Sequence, residues 1–425
     1  MTYQAIRTNE AHKTLWVLML FAYLLLPLGS VAQINISGKV FGGARQADVQ
    51  GHTFVQIGAE KHDVIIDAVY GGNDIAGTIG SSPLPGDEHI NGSYSSFVRT
   101  VKEATGKHLF IGQLFGGGYG QYTYTPDGNK FKTEITYKVW DANENEGNGA
   151  FVDKPVQLTD IVKPELAKAY VDIHGGTIAY VYGGGDNVTV TERTDICIDN
   201  ASDVTTKITD VTNADVNTNN LLNAARLVDM GIPAIQDVIN SDTYQISRVF
   251  GGNNKADMAI RPMWHLQQGK IENLYSGGNE GRMTSPVGLL LEIKPTVSDN
   301  LLIDNVYGGC RKADVRPLNP ENGQDMGTSQ IQLPDLDEDG NLKYAFPAGL
   351  AARVLVYGGN INNVYGGNDI TGRVYGGNAV GVYHSIRGNI YGGGNGSYPY
   401  TDNVALKNTL QYGDYYYGDF MTANN

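Results

Sequence analysis

The sequence has little cysteine and little positive charge. Only 2 cysteines occur among 425 residues, which is too few for a disulfide framework, although Cys197 and Cys310 could pair in an oxidising compartment. The 45 Asp and Glu residues outnumber the 31 Lys and Arg residues, and the formal net charge is −14. No basic run interrupts this acidic excess, which repels polyanions, so we expect no nucleic-acid partner.

Long apolar runs are also missing, except for one near the amino terminus. Leu15 to Leu26 form an apolar run of 12 residues that follows basic residues and precedes Ser30-Val31-Ala32. This order predicts a signal peptide over residues 1–32 with cleavage after Ala32. The run is shorter than the ~20 residues that cross a bilayer. We therefore expect an exported protein, at the cell surface or extracellular, with no transmembrane span in the mature chain.

Glycine and tyrosine are plentiful, and most of them belong to a repeat. The 55 glycines are nearly twice the usual share, without the strict period of collagen, and the 41% hydrophobic content is too high for a disordered polar chain. The repeated unit is an aliphatic residue, an aromatic residue and a glycine pair. Ten copies are Val40-Phe41-Gly42-Gly43, Val69-Tyr70-Gly71-Gly72, Leu114-Phe115-Gly116-Gly117, Val181-Tyr182-Gly183-Gly184, Val249-Phe250-Gly251-Gly252, Val306-Tyr307-Gly308-Gly309, Val356-Tyr357-Gly358-Gly359, Val364-Tyr365-Gly366-Gly367, Val374-Tyr375-Gly376-Gly377 and Ile390-Tyr391-Gly392-Gly393. We interpret Leu274-Tyr275-Ser276-Gly277-Gly278 as an eleventh copy with one inserted serine.

Apolar residues extend the unit in both directions. Seven copies carry an isoleucine three residues before the aliphatic position, and five carry an apolar residue nine positions after it, namely Val49, Val190, Met258, Met283 and Val315. β-Branched and aromatic residues before a glycine pair predict a strand that enters a turn with positive φ. In a straight strand the isoleucine and the aromatic residue share one face. Either both point inward, or a corner between them resets the alternation.

Stacked copies of this unit would bury rows of valines and aromatic rings that a single unit cannot bury. We therefore predict an all-β fold, an irregular parallel β-helix, over residues 33–396; a β-sandwich or propeller is the alternative. Gaps between the copies predict insertions, some with a short helix, and a Tyr-rich tail follows over residues 397–425. The insertions lie near 82–108, 119–165, 201–242 and 316–352.

Acidic residues supply one candidate metal site. Asp335, Asp337 and Asp339 alternate before Gly340, as in the first half of a calcium loop, but Phe346 stands where a bidentate Glu should close the loop. An exposed acidic turn is the competing interpretation. Three copies also end in Ala-Asp, at Asp48, Asp257 and Asp314, and we expect these aspartates to accept hydrogen bonds from backbone N–H groups. No other cofactor is indicated.

Catalytic motifs are scarce in the sequence. It contains no Gly-x-Ser-x-Gly nucleophile elbow and no Asp-Asp pair, and the nearest combination of ionisable and aromatic residues is Arg261-Pro262-Met263-Trp264-His265. Because β-helices host many polysaccharide lyases and glycoside hydrolases, a secreted enzyme of this kind is the alternative function. A cluster of carboxylates, or of carboxylates with arginine, in one groove would favour that alternative.

The Val-Tyr-Gly-Gly-Asn and Val-Tyr-Gly-Gly-Gly copies resemble the glycine-rich repeats of large exported, adhesin-like bacterial surface proteins. The resemblance covers most of residues 38–396 and implies a cell-surface or extracellular location, a parallel β-helix fold and a role in adhesion or in a matrix. We expect a non-catalytic structural or binding protein, with no catalytic residues. The implied partners are a host or matrix glycan, a protein ligand or another surface protein. We recognise no carboxy-terminal sorting signal or barrel anchor that would complete the resemblance.

Overall fold

The computed structural model describes residues 33–84, 92–122, 136–144, 149–155, 163–202, 244–327, 331 and 349–396. This part of the chain is an all-β structure dominated by parallel strands, as the repeat predicts. No helix in it is long and apolar enough to span a bilayer. The predicted signal peptide, the helical segment within 201–242 and the Tyr-rich tail lie outside the described residues, apart from the first two positions of that segment.

Most repeat copies lie at the ends of strands in one parallel sheet, sheet A. Its strands, in spatial order, are β1 (Gln33–Phe41), β3 (Asp63–Tyr70), β8 (Leu109–Phe115), β12 (Thr177–Tyr182), β14 (Ile246–Phe250), β15 (Met263–Tyr275), β17 (Leu301–Tyr307), β19 (Asn360–Tyr365) and β21 (Ile390–Tyr391). Each strand pairs in register with the next copy of the repeat.

Two further parallel sheets receive the chain between successive strands of sheet A. Sheet B contains β2 (Thr53–Ile57), β7 (Ser96–Thr100), β11 (Glu165–Ile173), β13 (Thr189–Asp199) and the first half of β15, with β4 (Thr78–Ile79) beside β11. Sheet C contains β16 (Leu289–Ile293), β18 (Leu350–Val356) and β20 (Gly377–Val382). The chain thus alternates between sheet A and sheets B or C, and it moves one strand along with each return. We call one sheet A strand with the segment that follows it a rung.

The strand of the repeat contains a corner, which decides between the two predicted arrangements. The pairing of β12 with β14 joins Ile178 to Ile246 and Tyr180 to Arg248 but omits the residue between them. Because of this irregularity, Ile178 and Val181 both lie in the aliphatic core between the sheets. Tyr182 lies on the opposite face of sheet A.

The aromatic residues of nine copies form one continuous stack on that opposite face. The rings are Phe41, Tyr70, Phe115, Tyr182, Phe250, Tyr275, Tyr307, Tyr365 and Tyr391. Neighbouring centroids are 4.5 to 5.1 Å apart, and the ring planes differ by 3° to 17°. This separation matches the spacing of adjacent strands, ~4.8 Å, so the backbone ladder sets the ring spacing. We call these rings the aromatic stack.

The glycine pairs are required by close approach between rungs, and our expectation of positive φ is wrong for most of them. Among the described pairs, only Gly359 and Gly376 have positive φ. A Cβ on Gly183 would lie 2.6 Å from the carbonyl oxygen of Gly251, the first glycine of the next rung. A side chain at this position would therefore force the rungs apart.

Two copies of the motif do not belong to sheet A. Tyr357 follows β18 of sheet C and stacks on Tyr383 instead of joining the aromatic stack. Val374 pairs with Val315 in a separate column of isolated bridges. These two copies contain the two glycines of the pairs with positive φ, Gly359 and Gly376. The same four-residue motif therefore adopts different backbone conformations.

The copy at residues 274–278 contains a substitution rather than the predicted insertion. The N–H of Ser276 donates to the carbonyl of Tyr307, just as Gly251 donates to Tyr275 in the preceding rung. Ser276 therefore occupies the position of the first glycine, and Gly277 occupies that of the second.

The second apolar site also stacks, in a column that runs beside the main core. Met258, Met283, Val315 and Val374 form successive parallel bridges, and Val49 bridges Ile79 at an earlier level. These residues, with Val190, belong to one apolar cluster. The aspartates before this column accept backbone hydrogen bonds as expected, from Thr78 to Asp48, from Arg282 to Asp257 and from Arg373 to Asp314.

The predicted insertions contain some regular structure. Near 82–108, β5 (Ser82–Pro83) pairs antiparallel with β6 (Ser93–Tyr94), but β7 in the same range is a member of sheet B. Within 119–165, β9 (Thr136–Asp141) and β10 (Ala150–Pro155) form an antiparallel hairpin. In 316–352, the described residues include the antiparallel bridge Leu318 to Asp325.

Candidate functional site: the ionisable face of sheet B

The outer face of sheet B carries a concentration of ionisable side chains. Val171, Ile173, Ile196 and Ile198 of β11 and β13 point into the aliphatic core. Because side chains alternate along a strand, the residues between them point outward. The outward residues of this part of the face are Tyr170 and Asp172 of β11, His174 directly after β11, and Asp195, Cys197 and Asp199 of β13.

Asp172 is the centre of the first cluster on this face. Its carboxylate oxygens lie 2.7 Å from Arg99 Nε and 2.9 Å from His174 Nε2. His174 Nδ1 lies 3.8 Å from a carboxylate oxygen of Asp199. Three neighbouring strands, β7, β11 and β13, thus contribute to one carboxylate, histidine and arginine cluster.

The two partners in this cluster stabilise each other's charged forms. Burial opposes ionisation of Asp172, but hydrogen bonds and charges from His174 and Arg99 outweigh it and lower the pKa of this carboxyl group. The hydrogen bond to Asp172 raises the pKa of His174 despite the burial of the ring. His174 is therefore more often protonated near neutral pH than an ordinary histidine.

Cys197 lies beside this cluster but is a poor nucleophile. Burial, followed by the charge of Asp172 and a hydrogen bond to it, raises the pKa of the Cys197 thiol to about 12. The thiol is protonated at neutral pH, whereas catalytic cysteines react as thiolates. Cys197 and Cys310 are both free, so the disulfide that the sequence allowed is not formed.

Asp195 is the centre of a second cluster on the same face, two residues before Cys197 along β13. Arg193 Nη2 donates a hydrogen bond of 2.6 Å to Asp195 Oδ1, and Arg193 Nε lies 2.6 Å from Oδ2 in an ion pair without hydrogen-bond geometry. His265 Nε2 lies 3.6 Å from Asp195 Oδ1. Tyr94, from the insertion strand β6, also hydrogen-bonds to Asp195, and burial together with this bond raises the pKa of the Tyr94 hydroxyl. The insertion is thereby fastened across sheet B.

A shallow open cavity of about 310 Å³ adjoins the second cluster. Its polar lining includes Glu192, Arg193 and Arg261, and its apolar lining includes Ile260, Met263 and Val287. Of the segment Arg261 to His265, the nearest ionisable and aromatic combination in the sequence, Arg261 and Met263 line this cavity, whereas Trp264 packs against the aliphatic core. Two guanidinium groups beside apolar surface are suited to an acidic ligand group.

The predicted calcium ligands Asp335, Asp337 and Asp339 lie outside the described residues. Within the described part, no group of three or more His, Cys, Asp or Glu side chains is arranged to hold a metal ion. Sequence reasoning missed the Asp172 and Asp195 clusters because it searched for motifs within one segment. A usable signal was present, since Asp172 and His174 flank Ile173, and Asp195, Cys197 and Asp199 alternate with Ile196 and Ile198.

Comparisons with family models, with curated proteins and with solved structures find no match for this chain.

Proposed function

We propose that the chain is an exported, adhesin-like binding protein built on a parallel β-helix, and that it is not an enzyme. The β-helix is supported by the alternation of the chain between sheet A and sheets B or C, with one step along the stack at each return. The nine-ring aromatic stack and the in-register strands make a long scaffold, from which the hairpin of β9 and β10 projects. Such scaffolds present extended surfaces for recognition.

The observation that carries the binding role is the mutual pairing of the ionisable groups on sheet B. Asp172 is held by Arg99 and His174, Asp195 is held by Arg193, and the Cys197 thiol is protonated at neutral pH. A general base needs a carboxylate or imidazole that can accept a proton from substrate, and a nucleophile needs its reactive form. Pairing of this kind fixes a charge pattern for recognition instead.

The ligand that this face fits is an acidic glycan or an acidic segment of a surface protein. His174 and His265 are 39% and 51% exposed at their side chains, and Arg193 is 43% exposed. Of these three residues, Arg193 lines the open cavity, together with Glu192 and Arg261. Arg193 and Arg261 place two guanidinium groups at the cavity of a chain whose formal net charge is −14, and an acidic ligand group would bind between them.

Binding to a glycan array, combined with a polysaccharide digestion screen, tests the proposal. We expect retention of acidic glycans without turnover, and at least about tenfold weaker binding for Arg193→Ala. Arg282→Ala is the matched control, because Arg282 forms a similar pair with Asp257 away from sheet B. Turnover of any glycan would refute a purely binding role. An equal loss of binding affinity in both variants would show that the binding site does not lie on sheet B.

One observation favours the alternative, a secreted polysaccharide lyase or glycoside hydrolase. Arg99, Asp172, His174 and Asp199 bring two carboxylates, a histidine and an arginine into one cluster. Carboxylates with a basic partner are the groups that glycan cleavage requires. If the screen detects cleavage, His174→Ala should abolish it, whereas a variant at Arg282 should not.

A further inference from the structure

The two ends of the described stack are complementary to each other. Throughout the stack, the N–H of the first glycine donates to the aromatic carbonyl of the following rung, as from Gly42 to Tyr70 and from Gly366 to Tyr391. The second glycine donates in the same direction, as from Gly43 to Gly72 and from Gly367 to Gly393. The hydrogen bonding therefore has a fixed polarity along the stack.

This polarity leaves donors at one end and acceptors at the other. Within the described part of the chain, the N–H groups of Gly392 and Gly393 have no hydrogen-bond acceptor. At the opposite end, no glycine N–H from a preceding rung reaches the carbonyls of Phe41 and Gly43. The last rung thus offers the donors that the first rung can accept.

Apolar surface is also left uncovered at the last rung. Tyr391 is 45% exposed and Ile390 is 50% exposed, whereas Tyr275 in the middle of the stack is 1% exposed. At the first rung, Phe41 and Val40 are only partly buried. The same two repeat positions are therefore incomplete at both ends.

The strands at both ends carry few of the charges that usually protect sheet edges. No charged residue occurs in β21 of the last rung, in β20 at the edge of sheet C, or in β2 of the first rung. Lys39 is the one charged residue of β1. Natural proteins blunt exposed edges with charges, prolines, bulges or very short strands. Because β1 has a register shift between Ile36 and Lys39 and β21 has only two residues, the edges available for pairing are the repeat residues themselves, Val40 to Gly43 and Ile390 to Gly393.

We propose that these ends form a head-to-tail interface between copies of this chain. The last rung of one copy receives the first rung of the next, with Tyr391 stacked on Phe41, Ile390 opposite Val40, and the Gly392 and Gly393 N–H groups bonded to the carbonyls of Phe41 and Gly43. The interface joins two different surfaces, so association is open-ended and produces filaments rather than a closed dimer. Because each copy carries a formal charge of −14, added salt strengthens the association.

Gly392→Ala is a sensitive variant for this interface. A Cβ at Gly392 has nothing within 4 Å in the single chain, whereas a Cβ on Gly42 would lie 2.6 Å from the carbonyl oxygen of Gly71 in the next rung. The added methyl group is therefore harmless to folding but collides with an incoming first rung. The double variant Ile390→Lys/Tyr391→Lys places charge on the same edge, and Phe151→Lys, on the 64% exposed Phe151 of β10, is its control.

Sedimentation of the full chain at concentrations from about 1 to about 500 μM covers tight and weak association. We expect a mass that rises continuously above 45.9 kDa, at least about tenfold weaker association for Gly392→Ala and for the double lysine variant, and no change for Phe151→Lys. Thermal unfolding of Gly392→Ala should match that of the parent chain. A single 45.9 kDa species throughout, a closed dimer, or association unchanged in both end variants would overturn the interface.

Discussion

The side-chain oxygen of Asn253 occupies the space where a Cβ on Gly184 would lie. This oxygen accepts a hydrogen bond of 2.8 Å from the N–H of Gly185, and the amide nitrogen of Asn253 donates to the carbonyl of Val188. Asn73 and Asn368 make equivalent pairs of bonds to the rungs before them. The second glycine of these pairs is therefore a space for the asparagine of the neighbouring rung.

Gly184→Ala should destabilise the fold by about 1 to 3 kcal/mol, because the new methyl group overpacks a rigid turn. Gly38→Ala is the control, since a Cβ there has nothing within 4 Å. The midpoint of urea unfolding, monitored by fluorescence, measures the stability of both variants. Equal midpoints for the two variants would show that the glycine pair is not needed for close approach.

Removing one ring from the middle of the aromatic stack should cost more than removing the last ring. Phe250→Ala should lower the free energy of unfolding by about 3 to 5 kcal/mol, because Phe250 is buried between Tyr182 and Tyr275. Tyr391→Ala should cost less than about 1 kcal/mol, since that ring stacks on one neighbour and is 45% exposed. Chemical denaturation compares them, and a similar cost at both positions would contradict the stacking account.

Asp186 and Asp172 should give opposite pH dependence. Burial raises the pKa of Asp186 despite hydrogen bonds from Gln121 and Asn254 and the nearby charges of Lys255 and Lys39. The folded state therefore loses stability as pH rises from the ordinary value of 3.8 through the raised pKa of Asp186. Asp186→Asn should consequently raise the melting temperature at pH 7.

The pKa of Asp172 is lowered, so its contribution is present above pH 3.8 and is lost as pH falls through the lowered pKa. Asp172→Asn should lower the melting temperature at pH 7, and the difference from the parent chain should shrink as the pH falls below 3.8. Melting curves from pH 3 to pH 8 test both variants. A change of melting temperature in the same direction for both variants at pH 7 would refute the opposite pKa shifts of Asp186 and Asp172.

Both thiols should resist alkylation in the folded protein. Burial raises the pKa of each thiol to about 12, so the thiolate fraction at pH 8 is very small. Iodoacetamide should label both cysteines only after unfolding in urea without reductant. Rapid labelling of Cys197 in the folded protein would contradict its protonated state, and two unlabelled cysteines in urea would indicate a disulfide.

The sequence predicts the all-β class and the rungs well because the repeat reflects a local relation between residue type and strand structure. An aliphatic residue and an aromatic residue before a glycine pair, with Ser276 replacing the first glycine once, recur in all nine strands of sheet A, and seven of these copies carry an isoleucine three residues before the aliphatic position. The four-residue motif alone fails at Tyr357 and Tyr375, which lie outside sheet A. These two copies carry Arg353 and Thr371 where seven sheet A copies carry the isoleucine. The asparagine that fills the glycine space comes from another rung, so a single copy gives no sign of it.

The site on sheet B was harder to predict than the repeat. Arg99, Asp172 and Cys197 are brought into one row by parallel register, although long segments of chain separate them. A search of the sequence for catalytic motifs with fixed spacing does not detect residues that only the strand register brings together. The alternation of polar residues with Ile173, Ile196 and Ile198 does predict one-sided strands, and it becomes informative once the strands are aligned.

Disulfide formation between two adjacent rungs tests the parallel in-register stack most directly. Asn305 and Asn363 are paired residues of β17 and β19, and their side chains hydrogen-bond at 3.0 Å. Adjacent strands are ~4.8 Å apart, within the Cα separation that a disulfide spans, whereas two rungs are about 9.6 Å apart and too distant. In a Cys197→Ser/Cys310→Ser background, Asn305→Cys/Asn363→Cys should oxidise fully and Asn305→Cys/Asn389→Cys should stay reduced. Failure of the first pair, or equal oxidation of both, would contradict the stacked arrangement.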